Sequence, residues 1–233
     1  MGNLQWINLL VTKPGQFFQQ LDAAPRFWFA LLLSMALSLG VMFWYYSGLD
    51  IAWFVDYTFS ANPKTAQIPE EQRAKALAFM TRNFLLFTSL FGAIVAIAAQ
   101  RLLEALYLLV AGKLTGVKRS YRHWLALSCW SSLPVAFSAL TGAVMLLLQD
   151  SRQMAPDVLS PLSLNSLFFN LHLGQPGYSL VTSLSLLHLP SWALSIIGVR
   201  TWSGRSTLFS TVLVMLPLVV VYGIWAWLAW GTP

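Results

Sequence analysis

Charge is what this chain has least of. Of its 233 residues only 9% are Asp, Glu, Lys or Arg, whereas 57% are hydrophobic; an ordinary soluble domain carries about 25% charged residues. Water cannot be the solvent for most of such a surface, and lipid can. Cysteine is nearly absent: Cys129 stands alone, so no intramolecular disulfide can form, and its apolar surroundings read as a small buried side chain. The first twelve residues carry no basic side chain. A cleavable signal peptide needs a positive stretch directly ahead of a short apolar core, so the N-terminus is expected to be retained.

Catalytic signatures are missing as well. The chain has no HExxH, GxSxG, P-loop or GxGxxG pattern. His123, His172 and His188 do not pair at metal-ligand spacing with one another, with Cys129 or with a carboxylate, so no metal is expected. Glu70-Glu71 resembles the di-acidic motif of prenyl-protein-type intramembrane proteases, but it lies in a polar segment with Arg73 close behind. No catalytic residue, cofactor or enzymatic activity is expected. The formal net charge is +6, yet the Lys and Arg residues flank hydrophobic runs rather than forming a basic, aromatic-interleaved stripe, so nucleic acid is not the expected partner.

What the sequence has in quantity is long apolar runs. Five are long enough to span a bilayer, near 29–46, 84–111, 124–148, 178–199 and 208–230, given about 20 residues per crossing. The expected fold is all-α: one integral membrane bundle over 1–233, with about five transmembrane helices. Cytoplasmic loops should hold the Lys and Arg excess. With the N-terminus inside, Lys13, Arg26, Lys113, Lys118, Arg119, Arg122, Arg200 and Arg205 face the cytoplasm, and Lys64, Arg73, Lys75, Arg82 and Arg152 the exterior. Asp50, Asp56, Glu70, Glu71, Asp150 and Asp157 then also lie outside, in exterior loops 47–83 and 149–177, and the C-terminus is exterior. Trp44, Trp53, Trp124, Trp225, Trp227 and Trp230 fall near span ends, as in an aromatic belt.

Residues 1–27 form a cytoplasmic interfacial segment in this reading. Pro14 suits the first position of a short helix, and Phe17, Phe18 and Leu21 share one face, with Gln16, Gln19 and Gln20 largely on the other. Such an amphipathic helix is expected to lie along the inner leaflet. In the first exterior loop Asn62-Pro63 marks a turn. Pro69-Glu70-Glu71 opens a polar helix, with Glu71 and Lys75 paired at i, i+4, that runs on into the second span. The second loop is broken by Pro156, Pro161 and Pro176, but its Leu162, Leu164, Leu167, Phe168 and Phe169 suggest a short helix or turn on the exterior membrane surface.

Polar residues inside spans are costly, about 2.5 to 3.5 kcal/mol for a charge at the centre of a lipid-exposed helix. Gln100, Glu104 and Tyr107 share a face of the second span with Ala93, Ala96 and Ala111, and Arg101 lies at its edge. Two readings are open: a salt-bridged packing face between helices, or a proton or substrate path of a small transporter or channel. His188, beside Pro190, is expected to hydrogen-bond backbone freed by that proline. Lys113, Lys118, Arg119, Arg122, Arg200 and Arg205 form a cytoplasmic basic surface suited to anionic inner-leaflet lipid, at about 1 kcal/mol per charge.

Several segments resemble the Yip1 domain family of multi-span membrane proteins, in its compact bacterial branch. TKPGQFFQQL is similar to the family's Pro-containing amphipathic segment, PEEQRAKAL to its polar lead-in to the second span, and LSCWSSLPVAFSAL to its third-span motif. LHLPSWALSIIGVRTWSGRSTLFSTVLVMLPL is similar to its closing helix, basic Gly-containing turn and helix. The resemblance covers nearly the whole chain and implies a bacterial cytoplasmic (inner) membrane protein without catalytic residues. It points to a non-enzymatic organiser of membrane-protein or lipid partners, or a homo-oligomer. Eukaryotic members contact small prenylated GTPases, partly through an N-terminal Asp-Leu-Tyr-Gly-Pro-type stretch. That stretch is absent here, which weighs against small-GTPase binding.

Overall fold

In lipid a backbone must satisfy its own hydrogen bonds, and apolar runs without period-two alternation do so as helices. The computed structural model describes residues 2–61, 65 and 68–231, and no strand occurs among them. The helices are α1 (Asn3–Thr12), α2 (Pro14–Ala23), α3 (Trp28–Gly48), α4 (Ile51–Ala61), α5 (Glu70–Phe79) and α6 (Arg82–Thr115). They continue as α7 (Tyr121–Ser131), α8 (Leu133–Ala136), α9 (Ser138–Leu148), α10 (Tyr178–Ser183), α11 (His188–Ser203) and α12 (Thr207–Trp230). The Asn62-Pro63 turn and Lys64 lie outside the described residues.

By length and composition α3, α6 and α12 can each cross a membrane, and the α7 to α9 stretch forms a fourth candidate bent by 41°. Pro134, at the start of α8, removes an N–H at the break and accounts for the bend. The fifth expected span, 178–199, is not one helix. After α10 the backbone of Leu184 is extended. The Leu164 N–H donates to Leu184 O at 2.7 Å and the Leu186 N–H to Leu162 O at 3.0 Å, around a Ser163–Ser185 bridge. These bonds compete with helix there.

The second exterior loop holds a 3₁₀ turn at Pro156–Leu159 and a π turn at Asn165–Phe169. In the first, the expected single helix from 69 into the second span is two, α5 and α6. Thr81 separates them and its hydroxyl accepts from the Phe84 N–H at 3.3 Å, a fresh N-terminal cap for α6. The same loop contains α4, which the reading of 47–83 as loop did not foresee. Asp50 caps it, accepting from the Trp53 N–H at 3.2 Å. That backbone bond holds the Asp50 carboxyl below its ordinary pKa.

The described chain divides into two units. Unit 1 comprises Met1–Met35, Ala96–Ala136 and Leu187–Gly223; unit 2 comprises Ala36–Val95, Phe137–Leu186 and Ile224–Pro233. In unit 1, α2 packs against α7 and α11, and Phe17, Phe18 and Leu21 are fully buried. The amphipathic face is therefore spent on protein rather than on the lipid surface. Aromatic edges explain the preference: Phe17 meets Trp6 at 5.2 Å and Trp130 at 5.0 Å, and Phe18 meets Trp202 at 6.3 Å, all near T-shaped. Such pairs add about 0.5–1.5 kcal/mol each beyond their buried area, and lipid tails cannot supply them. Trp124, expected in the aromatic belt, is fully buried against Trp202.

In unit 2, Val41, Tyr45, Leu49, Leu146 and Met154 form the core. The Tyr45 hydroxyl donates to Met154 O at 2.7 Å. Arg82 closes the end of α3, donating to Tyr46 O at 2.7 Å, to Leu49 O at 2.9 Å and to Ser47 O. A cation at a helix C-terminus also complements the dipole there. Gly142 of α9 sits where an added Cβ would lie 2.7 Å from Leu159 O and 3.1 Å from Leu159 Cα, backbone that cannot swing aside. Gly142→Ala is expected to cost about 1–3 kcal/mol through overpacking and to lower the melting temperature in detergent. Gly40→Ala, where a Cβ meets nothing within 4 Å, serves as the control and should leave the melting temperature level or slightly raised.

Candidate functional site

Helix α2 ends at Ala23, and a helix end leaves carbonyls without intrahelical donors. Here side chains of α7 and α11 reach carbonyls of α2 and of the segment that follows it. The Trp202 indole N–H donates to Phe18 O at 2.8 Å, the Trp130 indole N–H to Arg26 O at 2.6 Å, and Arg122 Nε to Pro25 O at 3.1 Å. His123 Nε2 meets Asp22 O at 3.1 Å, and because a carbonyl can only accept, Nε2 carries a proton. The Ser120 hydroxyl meets the other ring nitrogen at 2.7 Å. Arg119 then grips the Asp22 carboxylate with two bonds, Nε–Oδ1 2.7 Å and Nη2–Oδ2 2.9 Å. Bidentate pairing fixes direction as well as distance.

The costly charges of the second span lie in the same unit. Arg101 Nη1 is 3.0 Å from Glu104 Oε2 and 3.1 Å from Ser128 O on α7, while the Ser128 hydroxyl donates to Glu104 Oε2 at 2.6 Å. The three groups close a small ring, with Ser128 fully buried and the Arg101 side chain 13% exposed. Gln100 stays outside this ring and is exposed. Tyr107 has a separate task. Pro217 of α12 has no N–H for the carbonyl four residues before it, Leu213 O, and the Tyr107 hydroxyl donates to that carbonyl at 2.9 Å. A membrane proline is thus compensated at Tyr107-Pro217. Pro190 is the third residue of α11, a position with no intrahelical N–H bond to lose, and the His188 ring lies 5.6 Å from Trp192.

The basic residues separate into two groups. Arg119 and Arg122 are committed to the segment after α2, and Arg205 donates to Thr115 O and stands over the Phe209 ring at 4.7 Å. Lys113, Lys118 and Arg200 are exposed. Next to Lys113 in sequence, Leu114 is 83% exposed, and three residues after Arg205, Leu208 is 74% exposed. Sequence reasoning did not single out Asp22, Ser128, Trp130 or Trp202 as partners. The signal for the tryptophans was an indole N–H inside an apolar run, which demands an acceptor without naming it.

A family model described as the Yip1 domain matches residues 7–228 of the chain. No curated protein and no solved structure matches it. The matched stretch takes in α2, the Arg101–Glu104–Ser128 ring and the Tyr107–Leu213 bond.

The proline explanation of Tyr107 has a direct check. Tyr107→Phe is expected to destabilise by about 1–3 kcal/mol, the cost of leaving a buried acceptor unpaired. In a Pro217→Ala background, which restores the helical N–H to Leu213 O, the same change should cost much less. A double-mutant cycle from thermal unfolding in detergent reads the difference; equal costs in both backgrounds would remove the proline from the account.

Proposed function

The chain belongs to the Yip1 domain family, and from that premise we propose that it is a non-enzymatic membrane bundle that gathers anionic lipid at its basic end and organises membrane partners there. The chain is an integral membrane protein; the proposed setting is the bacterial cytoplasmic membrane, with the basic end inside. One observation carries the reading. By sequence, the segments of unit 1 hold nine basic and two acidic residues, and those of unit 2 five basic and six acidic. Charge of one sign therefore predominates in unit 1, where Lys113, Lys118 and Arg200 are exposed and Leu114, next to Lys113, faces outward. Positive charge next to apolar surface suits the headgroup region of an anionic leaflet.

A polar path for a transported solute would need Gln100, Arg101 and Glu104 to converge on water. Arg101 and Glu104 instead spend their groups on each other and on Ser128, and Gln100 is turned elsewhere. This favours the organising role over a transporter or channel.

The test is lipid selectivity. The purified protein should retain phosphatidylglycerol and cardiolipin in native mass spectrometry and gain more thermal stability from them than from phosphatidylcholine. At about 1 kcal/mol per charge, the triple change Lys113→Gln, Lys118→Gln, Arg200→Gln should weaken that preference by roughly a hundredfold. Equal retention of anionic and zwitterionic lipid by the parent protein would sink the proposal.

A further inference from the structure

Unit 2 contains a cavity of about 510 Å³ between the end of α9 and the segment that follows it. Pockets for small molecules run to roughly 300–1,000 Å³, so the space suits an organic molecule rather than a bare ion. Its walls are of two kinds. Met145, Met154 and Val158 present apolar surface, and Gln149, Gln153 and Asp157 present polar groups. Among the described residues no lysine or arginine lines it.

Asp157 is the charged group in the wall. Its Oδ1 accepts from the Tyr178 hydroxyl at 2.7 Å, which fixes the carboxylate, and no other donor reaches that carboxylate among the described residues. A second acid stands close, since Gln153 Nε2 lies 3.4 Å from Asp50 Oδ2. An anion entering here meets like charge. A neutral apolar molecule would strip water from Asp157 and leave its charge without a partner, which is costly. An organic cation with an apolar body answers both walls at once.

We propose that this cavity binds an organic ammonium ion bearing an apolar chain, the ammonium on Asp157 and the chain along Met145, Met154 and Val158. The inference does not depend on lipid binding at the basic end of unit 1. Two sources share this chemistry, the headgroup of an aminophospholipid and a free amphiphilic amine.

The experiment uses the full chain in non-ionic maltoside micelles, with empty micelles as the blank. Dansylcadaverine, a fluorescent primary amine, should bind saturably and be displaced by octylamine but not by octanol. Asp157→Asn removes the charge while its amide oxygen still accepts from Tyr178, and it should weaken binding at least tenfold with an unchanged melting temperature. Val158→Trp fills the cavity, leaves Asp157 in place, and should weaken the probe similarly. Native mass spectrometry then separates the sources. Phosphatidylethanolamine retained by the parent and lost in Asp157→Asn identifies the lipid headgroup; amine binding with no retained phosphatidylethanolamine identifies a free amine. Octanol competing as well as octylamine, or Asp157→Asn binding the probe like the parent, overturns the proposal.

Discussion

Backbone carbonyls, in helices and in the segments between them, take much of what this protein has in polar side chains. Inside a bilayer such a carbonyl has no water to turn to, and 9% charged residues leave few donors to spend. Long polar side chains go to backbone oxygens repeatedly: Arg82 to the end of α3, Tyr107 to the Leu213 carbonyl that Pro217 leaves without a donor, Tyr45 and Trp130 to Met154 and Arg26 outside the helices, and Trp202 to Phe18 within α2. Arg101 adds a second donor at Ser128 O, which already accepts from the Ser132 N–H, while pairing with Glu104. A charge in a span thus serves two needs, hydrogen bonding and electrical balance, and neither requires catalysis.

The N-terminal helices show what this arrangement makes possible. A ten-residue helix is marginal by itself, and α2 is ten residues long. It holds because its apolar face is enclosed by aromatic rings and its Asp22 and Phe18 carbonyls are met by His123 of α7 and Trp202 of α11. Close approach permits the enclosure: a Cβ at Gly198 would come within 2.8 Å of Leu127 and 3.0 Å of Phe18. Arg119 and Asp22 add direction to a contact that apolar packing alone would leave free to slide. Packing and hydrogen bonding are coupled here, since a shift of α2 that broke one would break the other.

Much of this was legible in the sequence, and the limits have physical causes. Apolar runs without alternation announced α3, α6 and α12, and Phe17, Phe18 and Leu21 announced the face of α2. What covers that face was not legible, because lipid and a protein aromatic cluster ask for the same residue pattern. The break at Leu184 depends on hydrogen bonds to residues 162–164, a pairing that local composition does not encode. The proline argument is instructive in the same way. A membrane proline needs a donor, but the donor for Pro217 lies on α6, over a hundred residues earlier in the chain.

The division of basic residues follows from the same scarcity. Arg119, Arg122 and Arg205 present planar forks that reach carbonyls and carboxylates at defined angles, and their donors are engaged with protein even though Arg122 and Arg205 are exposed. Lys113 and Lys118, compact charges on flexible stems, stay exposed. Geometry favours this sorting, because a guanidinium loses less freedom per hydrogen bond formed than an ammonium does. Arg200 breaks the pattern: it is exposed in the last turn of α11, where a cation complements the helix dipole. The +6 net charge of the chain therefore overstates the charge available to lipid, and in unit 1 Lys13 and Arg26 are exposed as well as Lys113, Lys118 and Arg200.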